Sequence, residues 1–232
     1  ASRLKGKPLL EINNLPIICH VVKKAKETGI GKVIVATEDK EIMTAVEKNG
    51  GKVILTGKHN TGTDRIFEAF QKLKTKDVDY VLNLQGDEPM IDPKDIINLN
   101  NLMIKNNSEI GTLASVIKDN TILNNENVVK VITKEKLEKN SFTKAINFSR
   151  KNLSKQNSNI YHHIGIYAYK VSVLEKFINL NQTKNEIENH LEQLRALDNN
   201  ITIMVALAKS SPIGVDTKED FLAIKKIMEY KT

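Results

Sequence analysis

Short apolar runs alternate with helix-periodic stretches over the first half of the chain, and no other feature narrows the fold as far. The run "KVIVAT" (32–37) reads as a buried strand and "KVILT" (52–56) as another. Between them "DKEIMTAVEKNG" (39–50) reads as a helix, with Asp39 near its N-cap and Gly50 or Gly51 at its end. Pro16 suits the first turn of an earlier helix that Gly29 closes. Residues 61–75 carry Ile66, Phe67, Phe70 and Leu73 at helical spacing, and "VDYVLNL" (78–84) is a third strand. Pro93 opens a helix to about Asn106, before the strand-like "GTLASVI" (111–117). Such alternation predicts an α/β fold with a parallel or mostly parallel sheet between two layers of helices.

The pattern changes after residue 118. Residues 119–160 are rich in Asn, Lys and Ser, with short β-like pieces at 128–133 and 143–149. "YHHIGIYAYK" (161–170) is a strand, and helices are expected at about 171–178 and 185–197. "ITIMVALA" (201–208) is a further strand and 217–230 a closing helix. This reads as a core of 1–118 plus 201–232 with an inserted lobe at 119–200.

At the end of the third strand stands "QGDEP", with adjacent carboxylates on Asp87 and Glu88. An unpaired buried carboxylate is very costly, so these acids must reach water, a base or a metal. Open α/β sheets bind ligands at the carboxyl ends of their strands, which is where these acids sit. Asp87 is a plausible ligand for a hard cation, and equally a turn residue bonded to its own backbone. Asp216 in "GVDT" (214–217) is its possible partner, or a cap for the last helix.

The formal charge of +7 fits either lysine-covered solvated faces or an anionic ligand. Only four of the 35 basic residues are arginine: Arg3, Arg65, Arg150 and Arg195. The arginine fork suits phosphate and carboxylate, although core ion pairs also use it. No recognition helix, zinc pattern or aromatic RNA motif accompanies the basic charge, so no nucleic acid partner is expected. No run of about 18 apolar residues occurs, so no membrane span is expected. The single cysteine, Cys19, excludes an internal disulfide and fits a reducing, cytoplasmic setting.

Two further stretches can meet an anion. "SRLKGKPLL" (2–10) sets three cations around a glycine, as a phosphate cradle or as a basic surface turn. It has neither Walker nor G-x-G-x-x-G spacing. "TGTDR" (61–65) opens a helix, with Thr61 and Thr63 as candidate caps and Arg65 one turn in. In the lobe, His162 and His163 are adjacent on a strand and face opposite sides, against a two-histidine metal site. Glu192 and Arg195, at i and i+3, read as a surface pair or as part of a site.

Taken in order, "RLKGKPL", "VIVATED", "TGTDR", "LNLQGDEPMI", "FSR", "HIGIYAY", "EQLRAL" and "GVDT" resemble the 3-deoxy-manno-octulosonate (KDO) cytidylyltransferases, or CMP-KDO synthetases. The segments run from residue 3 to 217, and all four arginines fall inside them. The resemblance implies a three-layer Rossmann-like nucleotidyltransferase fold, with a mixed, mostly parallel sheet and an inserted α+β lobe. The core would bind nucleotide, and the lobe would bind sugar and form a homodimer. It also implies CMP transfer from CTP to KDO, with Mg²⁺ as cofactor, for lipopolysaccharide biosynthesis. Arg3 and Lys7 would hold the triphosphate, with Lys7 also catalytic, and Thr63, Arg65 and Gln85 would help line the nucleotide pocket. Asp87 and Asp216 would be catalytic metal ligands, and Gln85, Arg150, His163, Tyr167, Glu192 and Gln193 would form the sugar-acid site. Rivals are an enzyme for 8-amino-KDO or sialic acid and an inactive nucleotide-binding relative. Lys5 stands where the family usually has proline and Asp64 where it has glutamate, and the segment after Arg150 is short. The family's opening strand and an earlier arginine do not occur within these 232 residues.

Overall fold

A computed structural model describes residues 4, 6–151, 159–209 and 214–230; Arg3 lies outside them. A 3-10 turn at Lys7–Leu9 starts from Gly6, whose φ of 67° is left-handed and suits glycine. Then come β1 (Glu11–Ile12), β2 (Leu15–Pro16), α1 (Ile17–Glu27), β3 (Val35–Thr37), α2 (Lys40–Lys48), β4 (Val53–Leu55) and α3 (Gly62–Leu73). Next follow β5 (Tyr80–Asn83), α4 (Pro93–Asn106), β6 (Ile110–Ser115), α5 (Asn120–Asn124), β7 (Lys130–Thr133) and β8 (Phe142–Ser149). The chain continues through β9 (Ile160–Lys170), α6 (Val171–Ile178), α7 (Lys184–Asn189), α8 (Gln193–Asp198), β10 (Ile203–Leu207) and α9 (Lys218–Glu229).

Local chemistry sets several of these ends. Asp39 caps α2 by accepting from the Glu41 and Ile42 amides, and Thr61 caps α3 by accepting from Asp64 N. Thr217 and Asp220 form a capping box at α9. The helix expected at 185–197 is two helices instead. His190 takes a left-handed conformation (φ 52°) that ends α7, and α8 begins at Gln193.

The chain forms two compact units, 1–75 with 84–96 and 212–232, and 76–83 with 97–211. None of the junctions between them falls at the expected 118/119 or 200/201. In the first unit β3 and β4 pair in parallel, and the amphipathic α1 and α2 bury Ile18, Cys19, Val22 and Val46 with Val35. Cys19 is thus a core residue. A second cluster packs Ile12 and Ile17 with Val215 and Ile224 of α9.

The second unit holds a six-stranded sheet in the order β5-β9-β6-β10-β8-β7. The sheet is mixed, but among its described pairings only β6–β10 is parallel. The expectation of a mostly parallel sheet fails because the eleven-residue β9 pairs antiparallel with β5, β6 and β7. Its pairing with β7 also closes the ring β9–β6–β10–β8–β7. This ring explains why no boundary falls at residue 118: the lobe strands share one sheet with β6 and β10. Gly111 on β6 lies so close to α4 that a side chain there would collide with Met103 and press on Leu99.

Candidate active site

In the first unit a cation and two carboxylates from distant parts of the sequence converge. Lys7 Nζ forms an ion pair with Asp87 and donates to Asp216 Oδ1 at 3.1 Å. The main chain fixes this meeting: Val215 N donates to Asp87 O at 2.9 Å, which ties "GVDT" to "QGDEP". Gly214 faces Glu88 Cγ and Asp87 O across about the width of one methyl group. Gly86 packs against Ile18, where a side chain would collide with it. Asp216 stands just before α9; its amide and that of Thr217 donate to Asp220, and its own carboxylate is 72 % exposed.

Electrostatics follow from this crowding. Burial alone would lower the Lys7 pKa, but the Asp87 and Asp216 carboxylates outweigh it and the ammonium is held above its ordinary value. Sequence reasoning names Glu88 beside Asp87 but gives it no role in the site. Burial, reinforced by the charges of Asp87 and Asp216, pushes its carboxyl up to about 7. Its Oε2 is buried without a hydrogen-bond partner among the described residues. Its place beside Asp87 in a strand-end turn was the available signal.

Also in this unit, Thr61 is the cap of α3 while Thr63 is buried in its first turn. Arg65 Nε is buried without a partner among the described residues. The approach to this helix is clamped. Glu68 accepts from Gly57 N at 3.0 and 3.1 Å and pairs with His59 and Lys72. The Lys72 and His59 bonds hold the Glu68 carboxyl down at about 2. Gln85 lies in the "QGDEP" turn, its carbonyl accepting from Glu88 N at 3.4 Å.

The second unit assembles a different cluster. Arg150 Nη1 donates to Asn127 O at 2.9 Å. Lys130, fully buried on β7, donates to Arg150 O at 2.7 Å and to Asn125 O at 3.1 Å. Burial lowers its pKa, with a further push from Arg150. Lys130 was missed, although a lysine inside the apolar run "VVKVI" was a visible anomaly. His163 bonds Thr112 and meets Phe148 edge-on at 5.1 Å and Tyr167 at 5.4 Å. Burial, then the charges of His162 and Arg150, push it down to about 3. The Tyr167 hydroxyl is buried without a partner among the described residues. Burial, Tyr169 and Glu192 raise its pKa well above the ordinary value.

Arg195 is not a surface group. It is 4 % exposed, binds Glu186 through Nε at 2.8 Å and Nη2 at 2.5 Å, and lies over the Phe177 ring at 4.8 Å. Glu192, at 3.8 Å, is its looser neighbour. This buried ion pair, with Glu186 on α7 and Arg195 on α8, anchors the turn that presents Glu192 and Gln193.

A cytidylyltransferase family model matches residues 1–203. The 3-deoxy-manno-octulosonate cytidylyltransferase of Bartonella tribocorum is 39 % identical over 98 % of this chain and 94 % of its own length. The protein of the same name from Thermodesulfovibrio yellowstonii is 42 % identical over the same shares. The chain belongs to the 3-deoxy-manno-octulosonate cytidylyltransferase family. Among solved structures, a CMP:2-keto-3-deoxy-manno-octonic acid synthetase complexed with CTP matches with a TM-score of 0.90 at 34 % identity. That match covers 100 % of this chain and 95 % of the synthetase. The α/β nucleotidyltransferase fold of this cytidylyltransferase is thereby established, with a sheet whose described pairings are mainly antiparallel.

Proposed function

We propose that this enzyme transfers CMP from CTP to KDO, releasing pyrophosphate and supplying CMP-KDO for lipopolysaccharide biosynthesis. The observation that carries the reading is the convergence of Asp87 and Asp216 on Lys7 in a chain of this family. The anomeric hydroxyl of KDO attacks the α-phosphorus of CTP in line, and pyrophosphate leaves. Catalysis then rests on positioning and charge neutralisation, with no covalent nucleophile. Lys7 exchanges its carboxylate partners for phosphate oxygens and stabilises the leaving group. Arg3, Thr63, Arg65 and Gln85 serve the nucleotide. Arg150 takes the sugar carboxylate, and His163, Tyr167, Glu192 and Gln193 line the rest of the sugar-acid site.

The donor set fits Mg²⁺. Asp87 and Asp216 are hard oxygen donors that already converge on one cation, and Mg²⁺ commonly takes one or two carboxylates plus phosphate and water. Asp87 and Asp216 would hold it, and bound there it would polarise the phosphate. The enzyme works in the cytoplasm as a homodimer through residues of the 119–200 region, where the exposed Ile146 and Ile187 support such an interface. Among the described residues no helix is long and apolar enough to cross a membrane.

The test is pyrophosphate release from each of the four NTPs with Mg²⁺, with and without KDO, and with sialic acid in parallel. Release with CTP and KDO alone is expected. Release with sialic acid but not KDO would overturn the substrate, and no release from any pair would overturn the activity.

A further inference from the structure

We propose that Thr112 is a positioning residue that fixes His163 as the Nε2–H tautomer, leaving Nδ1 as a hydrogen-bond acceptor for a hydroxyl of the sugar acid. The inference rests on His163 belonging to the sugar site. Its basis is a register shift: Thr112 of β6 opposes Tyr167, whereas the next residue, Leu113, opposes Ile164. Residues 165 and 166 of β9 are therefore extra, and such a bulge re-aims the side chains around it. Here the Ile164 and Ile166 carbonyls and the His163 ring all meet one hydroxyl. Thr112 Oγ1 lies 2.7 Å from Ile166 O, 3.3 Å from Ile164 O and 3.0 Å from His163 Nε2.

A threonine hydroxyl has one proton to give and two lone pairs. Carbonyls only accept, so the proton goes to the closer one, Ile166 O. If it pointed at His163 instead, two oxygens would face each other at 2.7 Å through lone pairs in a fully buried setting. The hydroxyl therefore accepts from Nε2, and Nε2 carries a hydrogen. Burial keeps the imidazole neutral down to about pH 3, so its second nitrogen bears a lone pair. Phe148, edge-on at 5.1 Å, and Tyr167, tilted at 5.4 Å, restrain the plane of the ring. A neutral acceptor of this kind gives no ion pair to a carboxylate. It receives an O–H, and hydroxyls are the donors that a polyhydroxylated acid offers.

The test is a long-range ¹H–¹⁵N correlation of the histidine rings in uniformly ¹⁵N-labelled enzyme, with and without KDO. For His163 we expect a protonated Nε2, an unprotonated Nδ1, and a shift of Nδ1 when KDO is added. Thr112→Val should let the tautomers mix and raise KM for KDO roughly five- to tenfold, the scale of one neutral hydrogen bond, with kcat little changed. Thr112→Ser should restore both. An unprotonated Nε2 in the unsubstituted enzyme overturns the proposal, with no variant needed. The expected tautomer with no response to KDO, and an unchanged KM in His163→Gln, would leave the Thr112 lock standing and remove His163 from the sugar site.

Discussion

The acidic centre and the lobe cluster manage charge by opposite means. Around Lys7 the groups are charged and reach solvent, with the Asp216 side chain 72 % exposed. Around His163 they are withdrawn from water. Lys130 is fully buried with main-chain carbonyls as its acceptors, and His163 is neutral. Exposed ion pairs are worth little, so on the proposed function Lys7 gives up Asp216 for phosphate at small cost. Its pair with Asp87, 20 and 22 % exposed, is held more firmly. Buried groups with fixed donors and acceptors cannot rearrange cheaply, and they discriminate by hydrogen-bond pattern. On the proposed function, the first cluster serves charge that moves and the second reads shape and polarity.

The sharpest way to break this contrast is Asp87→Asn. It removes one carboxylate from Lys7 and keeps the side chain's volume. We expect kcat to fall roughly 10²- to 10³-fold, the scale for losing a charge-stabilising group at a reaction centre. Circular dichroism and the unfolding midpoint should stay near those of the parent chain. A near-normal kcat would remove Asp87 from the chemistry.

The matching probe of the lobe is Lys130→Met, which keeps length and deletes a buried charge. Asn125 O retains the Val128 amide at 3.1 Å, whereas Arg150 O loses its 2.7 Å ammonium contact. The expected loss is about 1–3 kcal/mol of stability in urea titrations, with a raised KM for KDO. Unchanged stability and KM together would show that Lys130 holds nothing in place.

These two residues also mark where the sequence is readable. Asp87 and Asp216 announce themselves, because carboxylates crowded at element ends need partners. Asp39, Thr61 and Gly29 are local signals, and each lies at a helix end. Thr112 sits in an ordinary strand run and gains a role only from the two-residue shift between β6 and β9. Strand neighbours are set by contacts far apart in sequence, so β–α alternation suggested parallel pairing where β9 pairs antiparallel. His190 ends α7 without the glycine that would have signalled it.

The pH dependence of stability separates the two clusters further. In the fold His163 is protonated only below about pH 3, but near its ordinary 6.5 when unfolded. Below pH 6.5 the unfolded chain thus binds the extra proton, and stability falls as pH falls towards 3. Glu88 runs the other way. It holds its proton up to about pH 7 in the fold and to its ordinary 4.5 when unfolded. Its contribution is full below 4.5 and is lost as pH rises through 7. Between pH 6.5 and 4.5 the two slopes oppose. Relative to the parent, His163→Gln should gain stability as pH falls from 7 to 5, and Glu88→Gln should lose it, each by roughly 2 kcal/mol. Parallel pH profiles for all three chains would break the assignment.

The smallest expected effect tests whether the lobe reads geometry or only charge. Arg150→Lys keeps the positive charge, so a purely electrostatic site would barely notice it. The Arg150 guanidinium is anchored by one nitrogen on Asn127 O, and its planar fork has further donors for a carboxylate. Lysine offers a point charge and loses that two-pronged match. We expect KM for KDO to rise about tenfold, near 1.4 kcal/mol, with kcat and KM for CTP little changed. A rise in the CTP parameter instead would move Arg150 to the nucleotide. An unchanged KDO parameter would make its role one of charge alone, and the lobe would then resemble the acidic centre in the one respect that now separates them.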